Sequence, residues 1–152
     1  MTALIVCSAE PRGNTRRIAD AMASPLGAEI VAPRDVDPET LGAYDLVGFG
    51  SGIFWMSFHE ELRALVEKLP QADTTAFVFA TSGVPETPLR RYTRSFSRRL
   101  DARGYRVVDT FLCRGFDRWA PVRPLGINRH RPDDRDASAA RLFAERLQRT
   151  VS

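Results

Sequence analysis

Three short segments of this chain concentrate hydroxyl, amide and glycine residues. In the first, Ser8, Arg12, Gly13, Asn14 and Thr15 directly precede a stretch of helical periodicity. Hydroxyls at both ends of a loop, a glycine and the free N–H groups of a helix start together form a donor set for a phosphate monoester, and Arg12 adds positive charge. The same residues also serve to shape a turn and cap a helix, so this segment alone leaves both roles open. The second segment, Ser51, Gly52, Ile53, Phe54 and Trp55, puts two aromatic side chains in a glycine-containing loop. They either flank a flat ring system or pack on a neighbouring loop around Phe116 and Trp119. Gly52 permits a peptide orientation closed to other residues. The third segment is Thr81, Ser82 and Gly83.

The elements that would position these segments are legible as alternating patterns. Short apolar runs at Ala3–Cys7, Ala28–Ala32, Leu46–Gly50, Thr75–Ala80 and Arg106–Cys113 read as strands. Between them run helical patterns. Ile18, Ala21 and Met22 mark a helix from about Thr15 to Ala23, with Asn14 or Thr15 as its cap and Pro25 and Gly27 as its stop. Phe58, Leu62, Leu65, Val66 and Leu69 mark a second helix that ends at Pro70, and Leu89, Tyr92, Phe96 and Leu100 a third that ends at Gly104. Asp37-Pro38-Glu39 starts a single turn, residues 114–132 look irregular, and a last helix covers about Asp133–Arg149 with Ala140, Phe143, Ala144 and Leu147 inward. Strands alternating with helices predict one α/β domain over residues 1–152, with helices on both faces of an open five-stranded parallel sheet. The pattern fits the strand order 2-1-3-4-5, in which ligands bind beyond the carboxyl ends of the strands where the order reverses. All three hydroxyl-rich segments follow strands at that point.

Taken together, a phosphate loop after strand one, an aromatic glycine loop after strand three and Thr-Ser-Gly after strand four describe a flavin mononucleotide (FMN) site. Here the chain resembles the flavodoxin family. The run CSAEPRGNTRRIA, residues 7–19, is similar to the family's phosphate loop, two residues longer than its shortest form. The run YDLVGFGSGIFW, residues 44–55, is similar to the strand and flavin loop of flavodoxin-like proteins. The stretch from Cys113 to Leu147, opening CRGFD, is similar to one bacterial and archaeal subgroup, although Ala120 stands where such a relative has Gly before Pro121. The resemblance spans nearly the whole chain. It implies non-covalent FMN, with Ser8, Arg12, Gly13, Asn14 and Thr15 on the phosphate. It further implies Ser51, Gly52, Ile53, Phe54 and Trp55 along the ring, with Thr81, Ser82 and Gly83 at its other edge. The implied function is electron carriage at low potential; the alternative on the same fold is an NAD(P)H-dependent FMN quinone reductase.

Rival chemistries fail on spacing. A receiver domain needs acidic residues where Cys7-Ser8 and Gly50-Ser51 stand. A low-molecular-weight phosphatase needs an arginine six positions after its cysteine, and that position is Gly13. Gly48-x-Gly50-x-Gly52 lacks the last glycine of a dinucleotide fingerprint and follows the wrong strand. His59 and His130 have no partners at metal-ligand spacing and are expected at the surface. Two cysteines, Cys7 and Cys113, make no disulfide framework and read as small core residues. No apolar run approaches a membrane span and no signal peptide is visible, so a cytoplasmic protein is expected.

Of 22 basic residues, Lys68 is the single lysine, a bias that points to genome composition. A net charge of +3 with pI near 9.3 does not mark a nucleic-acid binder. Seven arginines nevertheless crowd positions 90–106, and Arg90, Arg91, Arg94 and Arg98 share the solvent face of the third helix, with Asp101 as the one acid in that window. The expected partner is a redox protein, an acidic one if the stripe steers it, docking near the flavin and this stripe; the sequence leaves the oligomeric state open.

Overall fold

Ala3, Ile5 and Cys7 face one apolar interior and Leu4 and Val6 the other, and all five are buried. The strand they form is therefore covered on both sides, which dictates its unbroken apolar run. The computed structural model describes residues 1–8, 13–54, 57–82, 92–114 and 132–151. In chain order these form β1 (Ala3–Ser8), α1 (Asn14–Leu26), β2 (Glu29–Val31), β3 (Leu46–Phe54), β4 (Ser57–Phe58), α2 (Glu60–Lys68), β5 (Thr74–Ser82), α3 (Tyr92–Ala102), β6 (Tyr105–Arg114) and α4 (Asp134–Val151), with 3₁₀ turns at Pro33–Asp35 and Leu41–Ala43.

Five strands pair in parallel in the order β2-β1-β3-β5-β6, and β4 joins only β3, antiparallel. Apart from that added strand, this is the expected 2-1-3-4-5 sheet. Residues of α1 and α4 cover the face that carries Ile5, Phe77 and Phe79. Residues of α2 and α3 cover the face that carries Val6, Phe49 and Val78.

Local chemistry explains where the boundaries differ from expectation. α1 continues through Pro25 to Leu26, because a proline in the last turn forfeits one backbone bond with little helix left to disrupt. Gly27, at φ 60°, closes it in the left-handed conformation. Phe58 fits the helical spacing of Leu62 and Leu65, yet it lies in β4. Its ring stacks on Phe96 of α3 with centroids 4.2 Å apart. α2 starts after His59, whose Nδ1 accepts from the Glu61 amide at 3.1 Å. At the far end, Asp133 Oδ1 accepts from the Arg135 and Asp136 amides while Asp136 Oδ2 accepts from the Asp133 amide, a reciprocal cap that fixes the start of α4.

Two glycines of β3 make room for aromatic rings. A Cβ at Gly48 would enter the ring of Phe77, and one at Gly50 the ring of Phe79. The glycine run is therefore strand packing, which disposes of the dinucleotide alternative. On the sheet edge, β6 carries a bulge: Ala76 pairs with Val107 but Phe77 with Asp109. Val107 then packs on one interior and Phe111 on the other. The Asp101 carboxylate accepts from the Val107 amide and the Asp109 carboxylate from the Thr110 amide, so the edge is blunted against further strand pairing.

Candidate functional site

The carboxyl ends of β1, β3 and β5 converge where the strand order reverses. Register places Ser8 beside Ser51 and Gly52 beside Thr81. α1 rises from the same pole. Its N-cap is Gly13, in extended backbone (φ −78°, ψ 166°), rather than Asn14 or Thr15, and a glycine offers no side chain to cap the first turn. The Gly13 carbonyl accepts from the Arg17 amide at 3.2 Å, so the N–H groups of the first turn lie ahead of the helix's own bonding. The first turn holds no acidic residue. A helix start whose cap residue is a glycine and whose first turn holds no acid, next to the half-exposed Ser8, is a donor set suited to a phosphate dianion.

Because Gly13 takes the cap, Thr15 falls inside the helix and turns inward. Its hydroxyl lies 2.7 Å from that of Thr81, and both residues are almost fully buried. This pair ties the phosphate-loop helix to β5 across 66 positions of sequence. No local pattern announces it; the only signal was a threonine in each of two segments bound for the same pole.

Ser51, expected along the ring, also has structural partners. It is fully buried; its hydroxyl donates to the Gly52 carbonyl at 2.7 Å and accepts from the His59 amide at 3.0 Å. The expected loop 51–57 is in fact the end of β3 and a hairpin, in which Ile53 pairs with Phe58 and Phe54 with Ser57. Ser51 clasps the base of that hairpin to the start of α2, and the Gly52 carbonyl cannot turn away without breaking the clasp. His59, a surface residue in the sequence reading, is a helix cap next to the site. Ile53 is half-buried and packs on the α2–α3 interior. Thr81 and Ser82 belong to β5 itself and are buried. Asn14 is half-buried at the first position of α1. Arg12, Trp55 and Gly83 lie outside the described residues, as do Phe116, Trp119 and the side chain of Phe54.

Cys7, one residue before Ser8, is 4% exposed. Burial pushes its thiol up to about 12, against a smaller opposing pull from Arg16 and a push from Asp20. A buried thiol whose burial favours the protonated form is a poor nucleophile, in line with the spacing that argues against a phosphatase. Among the described residues no His, Cys, Asp and Glu cluster could hold a metal, and no helix is long and apolar enough to cross a membrane.

The arginine stripe is partly neutralised. Arg99 and Arg103 pair with Glu67 of α2 at 3.4 and 3.8 Å, and Arg106 pairs with Asp73. These acids come from other elements, which the sequence window concealed, while Asp101 is spent on the β6 edge. Arg94 and Arg98 are exposed and have no acidic partner among the described residues. Arg90 and Arg91 lie outside them. An open cleft of about 570 Å³ lies at the opposite, amino-terminal end of the strands. Its charged groups have partners: Asp45 accepts from the Thr2 amide, and Arg106 donates to Asp73 and to the Thr75 hydroxyl.

Comparison with known proteins agrees with this architecture. An uncharacterized protein of Methanocaldococcus jannaschii is 29% identical over 148 residues, 97% of this chain and 98% of that protein. Among solved structures, an oxidised flavodoxin 2 from Bacillus cereus superposes with a TM-score of 0.74 at 22% identity, covering 99% of each chain. A flavodoxin from the domain Archaea does so at 0.69 and 19%, again covering 99% of each. An NADH:FMN oxidoreductase in its apo form reaches 0.63 at 18%, covering all of this chain and 91% of its own. A flavodoxin-domain family model matches residues 5–114. The chain belongs to the flavodoxin-domain family.

Proposed function

We propose that this protein is an FMN-binding electron carrier. The observation that supports it best is the glycine-capped start of α1 at the strand-order reversal, flanked by Ser8 and by the Thr15–Thr81 pair. In this reading Ser8, Arg12, Gly13, Asn14 and Thr15 hold the phosphate. Gly52, Ile53, Phe54 and Trp55 run along the ring, on a hairpin that Ser51 fixes, and Ser82 and Gly83 face its other edge. What a bound flavin supplies is the redox chemistry itself; the chain supplies position and electrostatics. The sequence carries one phosphate-loop motif and no second one for an adenylate half, which favours FMN over FAD.

An absorbance scan of the protein after incubation with FMN and gel filtration tests the reading. Retained flavin bands are expected; a flavin-free spectrum overturns it. Carrier and reductase then separate in one assay. A carrier oxidises NAD(P)H in the presence of a quinone no faster than free FMN does, whereas a reductase turns it over.

Arg94 and Arg98 stand on α3, whose amino-terminal end lies at the same pole as the site. In this reading they steer an acidic redox partner. Association between opposite charges is fast and falls steeply with salt. Reduction of the protein by an acidic flavoprotein reductase is expected to slow as salt rises, and to slow at low salt in Arg94→Glu/Arg98→Glu. A rate indifferent to both would leave these arginines as solvated surface.

A further inference from the structure

We infer that Thr81 is a positioning residue for phosphate recognition, acting through Thr15 and not through the flavin ring. The inference rests on the FMN reading above. Thr15 Oγ1 and Thr81 Oγ1 are 2.7 Å apart, with the two residues 4% and 5% exposed. A hydroxyl has a single proton to donate. If Thr15 gives its proton to a phosphate oxygen ahead of α1, its oxygen can only accept from Thr81. The pair then becomes a directed relay, in which Thr81 O–H donates to Thr15 Oγ1 and Thr15 O–H donates to the anion. Chains of this kind polarise one another, and burial strengthens them. Register supports the same geometry. Thr81 pairs with Gly52, which carries no side chain, so nothing on β3 competes for the Thr81 hydroxyl at that position. Placed in β5, Thr81 is held by the sheet on both sides, by β3 through Gly52 and by β6 through Cys113. It is thus a fixed post against which the Thr15 rotamer is set before any ligand arrives, a saving in ordering entropy that appears as affinity.

The test separates the phosphate from the ring by using FMN and riboflavin as paired ligands of wild type, Thr81→Val and Thr81→Ser. Valine keeps the shape and removes the hydroxyl; serine keeps the hydroxyl. One neutral hydrogen bond corresponds to about a three- to tenfold change in affinity. Thr81→Val is expected to weaken FMN by about that factor and to leave riboflavin affinity where it was, while Thr81→Ser restores FMN binding. Thermal unfolding of the three flavin-free proteins verifies that each is folded, and if valine destabilises the sheet, Thr81→Ala, which also lacks the hydroxyl, takes its place in the comparison. Equal losses for FMN and riboflavin would place Thr81 on the ring and overturn the inference, as would an unchanged FMN affinity in folded Thr81→Val. Wild type that binds riboflavin and FMN equally well also overturns it, whereas wild type that binds neither overturns the FMN reading itself.

Discussion

Gly50→Ala is expected to destabilise the protein by about 1–3 kcal/mol, the range for forcing an extra methyl into a packed core. The Cβ would enter the ring of Phe79, which is fully buried. That ring cannot swing aside freely. It stacks on Phe77 at 6.1 Å, and Phe77 in turn packs edge-on against Phe143 of α4 at 5.9 Å. Replacing glycine by alanine also stiffens the unfolded chain, worth about 0.4–1 kcal/mol in the opposite direction. The collision is the larger effect, so the net sign is destabilising. For a chain of this size, a melting temperature lower by about 2–4 °C per kcal/mol follows. Gly50→Ala/Phe79→Leu should recover part of the loss, because the smaller side chain vacates the space. A Gly50→Ala protein as stable as wild type would mean that β3 and Phe79 are less tightly apposed than described.

The second large effect is a loss of stability in alkali that Cys7 causes. Its thiol sits at about 12 in the folded protein against 9.0 in the open chain, chiefly through burial. The folded state therefore keeps a proton that the unfolded state releases. Stability from this group is complete below about pH 9 and drains away as pH rises towards 12. The slope approaches about 1.4 kcal/mol per pH unit, on the order of 4 kcal/mol in total. Burial also raises the Tyr105 phenol, which adds loss in the same direction above its ordinary value of 10.0. Cys7→Ala isolates the thiol. Near neutral pH it should be less stable than wild type, having lost a buried sulfur. Between pH 9 and 12 its urea-unfolding free energy should fall less steeply, so that the two curves converge. Parallel curves would show that the thiol does not govern the alkaline limb.

Legibility in the sequence differs by element. β1, β3 and β5 are buried on both faces, so their apolar runs were unambiguous, and the strand order followed from the alternation with helices. Glycines 48 and 50 were legible as packing, though not their partners, since Phe77 and Phe79 lie on a strand some thirty residues away. The β3–β4 hairpin was illegible for a physical reason. Phe58 sits at helical spacing from Leu62 and Leu65, and one residue of a two-residue strand carries no period of its own. The face change in β6 was hidden likewise, because a bulge adds one residue without altering composition. At the site, the hydroxyl-rich segments were correctly brought to one pole, but their bonding was not readable. Ser51 was legible as a site hydroxyl but not as the clasp of a hairpin, and Thr81 as a hydroxyl at the same pole but not as the partner of Thr15. Serine and threonine announce that a hydroxyl is needed without saying for what.

Central to the proposed function is binding of the FMN phosphate by Ser8, Thr15 and the start of α1. The most direct measurement is FMN affinity by quenching of flavin fluorescence in wild type, Ser8→Ala and Thr15→Ala. Each variant removes one hydroxyl donor to a dianion, a hydrogen bond worth about 1.5–3 kcal/mol, or roughly ten- to a hundredfold in affinity. Weakening of that size for FMN in both variants, with riboflavin affinity little changed, is the predicted result. Wild-type affinity for FMN in both would contradict the site.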